Sequence, residues 1–399
     1  MASPKLLALA IAAFATAGLA ASVAVGCADD PPAAGPPAEA GLDASPVVDA
    51  GEGGRVLPKG KRVLGIAMPV GDLSFSENVQ TAYEGGARAT NVSFAWDDIE
   101  RPYDAGAPDA ADDDAAASGD AAPPTQLFNA SLHVANLVLE QARTQALLSV
   151  AAIDVGGSRA PADLTTRSFD DAELGARYEK LTDYVLRSTP DLDVAALFVG
   201  TEVDVPLGGD AAKHGAFAAF VGRAAAHAHA VRAGLKVGFT VTSDGLEASS
   251  PRLAAAWAAS DVVGITYFPV DLAGHVRSPG EVAADLDRLV AAAPLGKPIF
   301  LREAGFPTAA ASGGDEAAQA AFVSAVFAAW DRHGERMPFV TFRELDDAPA
   351  ETVTVLAARY RRADAPFLAF LGSLGLRAPD GRRKQGWDAL IREARARAF

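Results

Sequence analysis

The chain has 399 residues, of which 50% are hydrophobic, so it can bury a sizeable core in one large domain or two ordinary ones. Its 35 Lys and Arg stand against 51 Asp and Glu, which gives a formal net charge of −16. An acidic chain without a compensating basic patch repels phosphate backbones, so we expect no nucleic-acid partner.

The first 26 residues have the composition of an export signal. Lys5 supplies the positive charge, residues 6–25 form an apolar, Ala-rich segment, and small residues precede Cys27. A positive start, an apolar centre and small residues before the cleavage site are what an export signal needs. The sequence therefore predicts that residues 1–26 are a signal peptide.

Cys27 is the only cysteine, so no disulfide can form within the chain. Ala24-Val25-Gly26-Cys27 resembles the lipobox of bacterial lipoproteins, in which the cysteine is lipidated and becomes the mature N-terminus. The resemblance implies a protein of the bacterial cell envelope, anchored to a membrane through Cys27. Ordinary cleavage nearby is the alternative, whereas a lone thiol at this position does not indicate a redox or metal site.

Two segments have too few large apolar side chains to fold. Residues 27–60 are rich in Ala, Pro, Gly and Asp, which predicts a disordered tether. Residues 103–124 are an Ala/Asp-rich insert without hydrophobic periodicity, which predicts a mobile loop within the folded part.

From residue 61 to 399, apolar strand-like segments alternate with helical patterns, which predicts βα units and a parallel sheet. The predicted strands are 63–68, 90–95, 146–153, 194–199, 235–241, 261–267, an apolar segment that ends at Glu303, and 337–342. Helices are predicted at about 76–85, 127–143, 169–187, 211–233 and 315–333, from Ser250-Pro251 onward, and at the C-terminus.

Eight strands over this length favour a single (β/α)₈ barrel. A doubly wound open sheet is the alternative. It is less favoured because the turn after the first strand lacks the G-x-G-x-x-G pattern of a phosphate-binding loop.

Two acids follow apolar strands. Glu202 lies just beyond the fourth predicted strand, and Glu303 ends the seventh. A charge at the end of a buried strand needs a reason, and the C-terminal strand ends form the active-site face of a (β/α)₈ barrel. We therefore expect paired carboxylates that face one cleft, although Glu303 beside Arg302 could instead form a structural ion pair.

Four short motifs resemble the clan A retaining glycoside hydrolases, whose acids follow strands four and seven. Val199-Gly200-Thr201-Glu202, residues 264–269 and residues 303–307 are similar to segments of the endo-β-1,4-galactanase and β-1,3-glucanase families. The tail 375–387 is similar to the closing segment of family-5-type cellulases. The resemblance implies that Glu303 is the nucleophile and Glu202 the acid/base of a double displacement.

The resemblance also suggests substrate-binding residues. We expect Tyr267 to donate a hydrogen bond to Glu303, and Trp96 to stack on a sugar ring. Asp154, Asp204 and Asp244 lie near other strand ends and are candidates for binding sugar hydroxyls, although loop acids are usually only solvated.

Two departures from the family pattern affect substrate contacts. Thr201 stands where the family has an Asn that binds the sugar 2-hydroxyl. The end of strand eight reads Phe342-Arg343-Glu344, where many relatives place a Trp.

The histidines do not form a metal set, because His227 and His229 are two apart in a helical pattern and point to different faces. The favoured hypothesis is an exported, lipid-anchored, monomeric glycosidase without cofactor or metal that cleaves β-linked oligo- or polysaccharide. The alternatives are a non-catalytic surface glycan-binding lipoprotein on a degenerate barrel, which the two departures suggest, and a structural lipoprotein without ligand.

Overall fold

The computed structural model describes residues 56–71, 73–102, 125–271 and 274–399. The predicted signal peptide, Cys27, the tether up to residue 55 and the insert 103–124 lie outside the described residues.

Eight parallel strands form a closed barrel in which each strand pairs with its neighbours in the chain and the last pairs with the first. This confirms the predicted (β/α)₈ barrel and shows that the doubly wound alternative is wrong. The strands are β1 Val63–Ile66, β2 Ala89–Ala95, β3 Gln145–Ala151, β4 Val194–Phe198, β5 Val237–Thr242, β6 Val262–Tyr267, β7 Ile299–Ala304 and β8 Phe339–Phe342.

Helices follow the strands and cover the barrel. Within the described residues, none of them is long and apolar enough to cross a membrane. The helices are α1 Phe75–Glu84, α2 Trp96–Ile99, α3 Ala130–Gln141, α4 Ala172–Ser188, α5 Asp204–Leu207, α6 Ala211–Val231, α7 Ser243–Ser249, α8 Ala254–Ala259, α9 Val282–Ala292, α10 Glu316–His333, α11 Ala350–Tyr360, α12 Ala365–Leu371 and α13 Gln385–Ala396.

Two predicted helix starts differ from the structure. Residues Thr125–Leu127 pair with Glu100–Pro102 as a short antiparallel ladder, so α3 begins only at Ala130, after the N-cap Asn129. The predicted helix from Ser250-Pro251 begins only at Ala254, as α8, because Ser250 is the C-cap of the preceding helix α7. In the first case the hydrophobic pattern continues across the change of structure, so the pattern alone does not show the boundary.

Aromatic rings fill the barrel interior. The ring centroids of Phe300 and Phe339 are 4.5 Å apart, and those of Phe198 and Phe300 are 6.1 Å apart. Gly264 of β6 leaves room for this layer, because a Cβ there would lie 2.8 Å from Cε1 of Phe198. A second, larger core lies between the strands and the surrounding helices.

The residues just before β1 contact the folded part. The N–H of Lys59 donates to the carbonyl of Arg397 at 2.7 Å, and Arg62 pairs with the buried Asp331 at 2.6 Å. Arg62 also donates to the carbonyls of Leu57 and Pro58. Residues 57–59 therefore contact the barrel domain close to its first strand.

Candidate active site

Glu202 lies on the loop after β4, buried with 5% of its surface exposed. Its φ of 50° lies in the left-handed region, which a non-glycine residue adopts only when its surroundings hold it there. Two hydroxyls fix the carboxylate: Thr266 donates to Oε1 and Tyr360 donates to Oε2, each at 2.8 Å. The side chain is therefore aimed by contacts from β6 and from the end of α11.

The surroundings of Glu202 favour its protonated form. Burial raises the pKa of Glu202 to about 7, and the negative charge of Glu303 acts in the same direction. The hydrogen bonds from Thr266 and Tyr360 lower the pKa and only partly offset these effects. At neutral pH, this carboxyl is poised to give or take a proton.

A bulge in β7 orients Glu303. Leu301 pairs with Ile265 of β6, but the next pair joins Thr266 to Glu303, so Arg302 is an extra residue in the ladder. Arg302 is 1% exposed and donates to the hydroxyl of Ser93 at 3.0 Å. Burial lowers the pKa of Arg302 to about 10, so the guanidinium remains charged near neutral pH. Arg302 and Glu303 are adjacent in sequence, but only Glu303 keeps a partner in the ladder with β6.

Arg343, at the end of β8, holds Glu303. Its Nη1 atom lies 2.5 Å from Oε2 of Glu303, and its Nη2 atom lies 3.5 Å from Oε1 of Glu344. A guanidinium at this distance donates a charge-assisted hydrogen bond to the carboxylate. Glu303 therefore forms an ion pair, as the structural alternative expected, but its hydrogen-bonded partner is Arg343 and not its neighbour Arg302.

Three cavities open at this end of the barrel. The middle cavity, of about 230 Å³, is lined by both Glu202 and Glu303. The largest, of about 780 Å³, is lined by Glu202, and the third, of about 240 Å³, is lined by Glu303. Arg343 lines all three. The structure thus brings the two predicted carboxylates to one cleft at the C-terminal strand ends.

Three of the predicted substrate-binding residues also line this cleft. Asp154 and Thr201 line the middle cavity, and Asp244 lines the largest one. Asp154 pairs with Arg159 at 3.3 Å, and the Thr201 hydroxyl lies 3.5 Å from the Ser149 hydroxyl. These side chains therefore lie in the same cleft as Glu202.

The sequence suggested that Tyr267 donates a hydrogen bond to Glu303, and this prediction is wrong. Its hydroxyl donates to Oδ2 of Asp285 at 2.7 Å, and its ring stacks on Phe322 of α10. The alternation of side chains along β6 explains the difference, because Thr266 points to the cleft and Tyr267 points to the helices. Tyr267 lines none of the three cavities.

Trp96 and Asp204 are also turned away from the cleft. Trp96 is completely buried, packs edge-on against Tyr178 and donates its indole N–H to Glu100 at 2.7 Å, so neither ring face can stack on a sugar. Asp204 accepts hydrogen bonds from the backbone N–H and the hydroxyl of Thr242, at 2.9 and 2.7 Å. The contacts of both side chains are thus made inside the protein and not in the cleft.

Sequence reasoning missed three residues of the site. Thr266 lies inside the motif of residues 264–269, and Arg343 lies at the strand end where a Trp was expected. Both could have been found by following the alternation of side chains to the end of each strand. Tyr360 could not, because it is 158 residues from Glu202 and ends a helix without a recognisable motif.

Metal ligands are not clustered in the part of the chain that the structure describes. No group of three or more His, Cys, Asp or Glu side chains there could hold a metal ion.

The raised pKa of Glu202 leads to a prediction about how the free energy of unfolding depends on pH. A carboxyl with an ordinary pKa of 4.5 and a folded-state pKa of about 7 is protonated more easily in the folded protein. Its contribution to stability is therefore full below pH 4.5 and is lost as the pH rises to about 7. Glu202→Gln removes the titration, so we expect the stability of the variant relative to the native protein to rise by up to roughly 3 kcal/mol from pH 4 to pH 8.

Urea denaturation at pH 4 and pH 8 measures this gain, with the exposed Glu335→Gln as a matched control that should change little at either pH. A gain for Glu202→Gln that is equal at both pH values would contradict the assigned pKa.

Comparison with known proteins shows similarity only in structure. No protein-family model matches the chain, and no curated protein matches its sequence. A GH5_18 variant from Bifidobacterium longum subsp. longum, in complex with Manβ1-4GlcNAc, has a TM-score of 0.62 and 15% identity, over 84% of this chain and 78% of that chain.

Two other solved structures give the same result. The exo-β-1,4-mannosidase Op5Man5 from Opitutaceae bacterium strain TAV5 has a TM-score of 0.60 and 16% identity, over 84% of this chain and 59% of that chain. The β-glycosidase BGL167 has a TM-score of 0.58 and 15% identity, over 86% of this chain and 97% of that chain. This chain therefore shares its (β/α)₈ fold with these three solved glycosidase structures.

Proposed function

We propose that the protein is a retaining glycoside hydrolase that cleaves β-linked oligo- or polysaccharide by double displacement. The observation that carries the proposal is the pair formed by Glu202 and Glu303. They line one cavity at the ends of β4 and β7, where the pKa of Glu202 is raised and Glu303 is paired with Arg343. Two carboxyl groups that differ in this way are what retaining hydrolysis requires.

In the first step, a carboxylate oxygen of Glu303 attacks the anomeric carbon, and the bond from that carbon to the leaving oxygen breaks. Glu202 gives its proton to the leaving oxygen, which departs as an alcohol. In the second step, water attacks the anomeric carbon, Glu202 takes a proton from the water, and the bond to Glu303 breaks. The sugar keeps its β configuration because it is inverted twice.

The contacts of each carboxyl support this assignment of roles. A general acid that works near neutral pH needs a raised pKa, and burial gives this to Glu202. A nucleophile must be ionised, and the Arg343 guanidinium stabilises the charge of Glu303. Burial and the Glu202 carboxylate raise the pKa of Tyr360, so its phenol stays protonated and can donate to Glu202.

The substrate class is supported by the structural neighbours. GH5_18 structures are described in complex with Manβ1-4GlcNAc and with GlcNAc. For this chain we propose a soluble oligosaccharide or a hemicellulose fragment, with Asp154, Thr201 and Asp244 as contacts to the sugar.

Substitution of each carboxylate tests the roles. We expect Glu303→Ala to abolish hydrolysis of a panel of aryl β-glycosides and β-glycans by the full-length protein, because no covalent intermediate can form. Added azide should restore turnover of an aryl glycoside and yield the α-glycosyl azide, since azide then attacks from the Glu303 side. In Glu202→Ala, azide should yield the β-glycosyl azide, because it attacks the glycosyl-enzyme.

For Glu202→Ala, the loss should be about 10²–10⁴-fold on glycosides with basic leaving groups and much smaller on aryl glycosides with acidic phenols. Glu335→Ala is the matched control and should keep full activity. Unchanged turnover in Glu303→Ala would contradict the mechanism. No turnover by the native protein, with sugar binding that survives both substitutions, would show a glycan-binding protein instead.

The hydrogen bond from Tyr360 predicts a change in pH dependence. Since Glu202 acts as an acid, kcat/KM of the native protein should fall above about pH 7. Tyr360→Phe removes a donor that stabilises the ionised form of Glu202, so its pKa rises and the basic limb should move to higher pH. The pH profile of kcat/KM measures this shift, and a limb that moves to lower pH would contradict the assignment.

We also propose that the protein is exported and held at a membrane of the bacterial cell envelope by a lipid on Cys27. The support is the lipobox-like sequence before this single cysteine. Labelling with a radioactive fatty acid should mark the native protein and fail to mark Cys27→Ser, which should appear in the soluble fraction. Equal membrane association of both proteins would contradict the anchor.

A further inference from the structure

The largest cavity lies on the acid/base side of the cleft. It is lined by Glu202 but not by Glu303, whereas the two smaller cavities are both lined by Glu303. In retaining hydrolysis the general acid stands next to the leaving oxygen, and the nucleophile stands on the opposite face of the sugar. The 780 Å³ cavity is therefore on the side where the leaving group would depart. The residues that line it indicate which kind of leaving group it can bind.

One wall of this cavity is apolar. Phe268 of the loop after β6 meets Phe370 of α12 edge-to-face at 5.5 Å, and Phe367 stacks on Phe370 at 5.9 Å. Leu374 belongs to the same cluster and lines the same cavity. Val205 also lines the cavity, with 49% of its surface exposed.

The rest of the lining is more basic than the chain as a whole. Three acids line this cavity, Glu202, Asp244 and Asp271, and Glu202 is readily protonated near neutral pH. Five basic residues line the cavity, although acids outnumber them in the whole chain: Lys213, Arg343, Arg359, Arg361 and Arg362.

Two of these basic side chains are available to a ligand. Arg343 and Arg362 are held by Glu303 and Asp364. Arg359 has only a 3.8 Å contact with Asp154. Lys213 and Arg361 are exposed, and within the described ranges their side chains make no hydrogen bond or ion pair.

We propose that this cavity binds a leaving group that carries both an apolar ring or chain and an anion such as a carboxylate, sulfate or phosphate. The apolar part packs on Phe268, Phe370 and Leu374, and the anion pairs with Lys213 and Arg361. The inference rests on the proposed hydrolase function and narrows its substrate to β-glycosides with an amphipathic, anionic aglycone.

Matched fluorogenic substrates test the charge preference. They are the β-glycosides of 7-hydroxycoumarin-4-acetic acid and of its methyl ester, made with the sugar that the panel identifies. The two phenols have closely similar acidity, so a difference in kcat/KM reports on the cavity and not on the chemistry of bond cleavage. We expect the full-length protein to favour the acid by roughly tenfold at low ionic strength.

Salt and substitutions then test the cause. The ratio of kcat/KM for the acid to kcat/KM for the ester should approach one in about 1 M salt, where the screening length is only ~3 Å. It should also approach one in the double variant Lys213→Met/Arg361→Met, and the exposed Lys180→Met serves as a matched control that keeps the native preference. Thermal unfolding checks that each variant is folded.

The outcomes separate this inference from the hydrolase function. Equal hydrolysis of acid and ester, or a preference that the double variant keeps, would overturn the inference and leave the hydrolase proposal standing. Where neither glycoside is hydrolysed, fluorescence titration with the free coumarins decides. Tighter binding of the acid, lost in the double variant, supports an anion-binding cavity without hydrolysis; equal binding of acid and ester overturns it.

Discussion

Two carboxylates that share a small cavity repel each other, and the contacts of the site can be understood from that repulsion. The protein relieves it by giving Glu202 a buried position, where the proton is retained, and by giving Glu303 a guanidinium partner. The left-handed backbone of Glu202 and the bulge before Glu303 accompany these two arrangements. Removing either arrangement would leave two like charges without compensation.

The end of β8 gives the cleft a charged side chain. Arg343 contacts Glu303 and Glu344 and lines all three cavities. The apolar surface of the site comes from Phe268, Phe367 and Phe370, on the loop after β6 and on α12. Charge and apolar surface at this site thus come from different elements of the fold.

Strand-level features were predictable from sequence, and side-chain partners across the barrel were not. The eight strands and the positions of Glu202 and Glu303 follow from apolar runs that end in an acid, because hydrophobic periodicity is a local property. Tyr267 and Trp96 were assigned to the site because their residue types suit it, but strand alternation and complete burial direct them elsewhere. Tyr360 reaches Glu202 across 158 residues, and only the closed barrel brings them together.

The position of Tyr360 at the last turn of α11 links the acid strength of Glu202 to the packing of a peripheral helix. The Tyr360 ring rests edge-to-face on Phe367 of α12 at 5.4 Å, and Phe367 in turn stacks on Phe370. A change in the volume of Phe367 or Phe370 would alter the hydrogen bond to Glu202 without touching either carboxylate. The working pH range of such a barrel can thus evolve through apolar residues outside the reacting pair, while the two acids stay fixed.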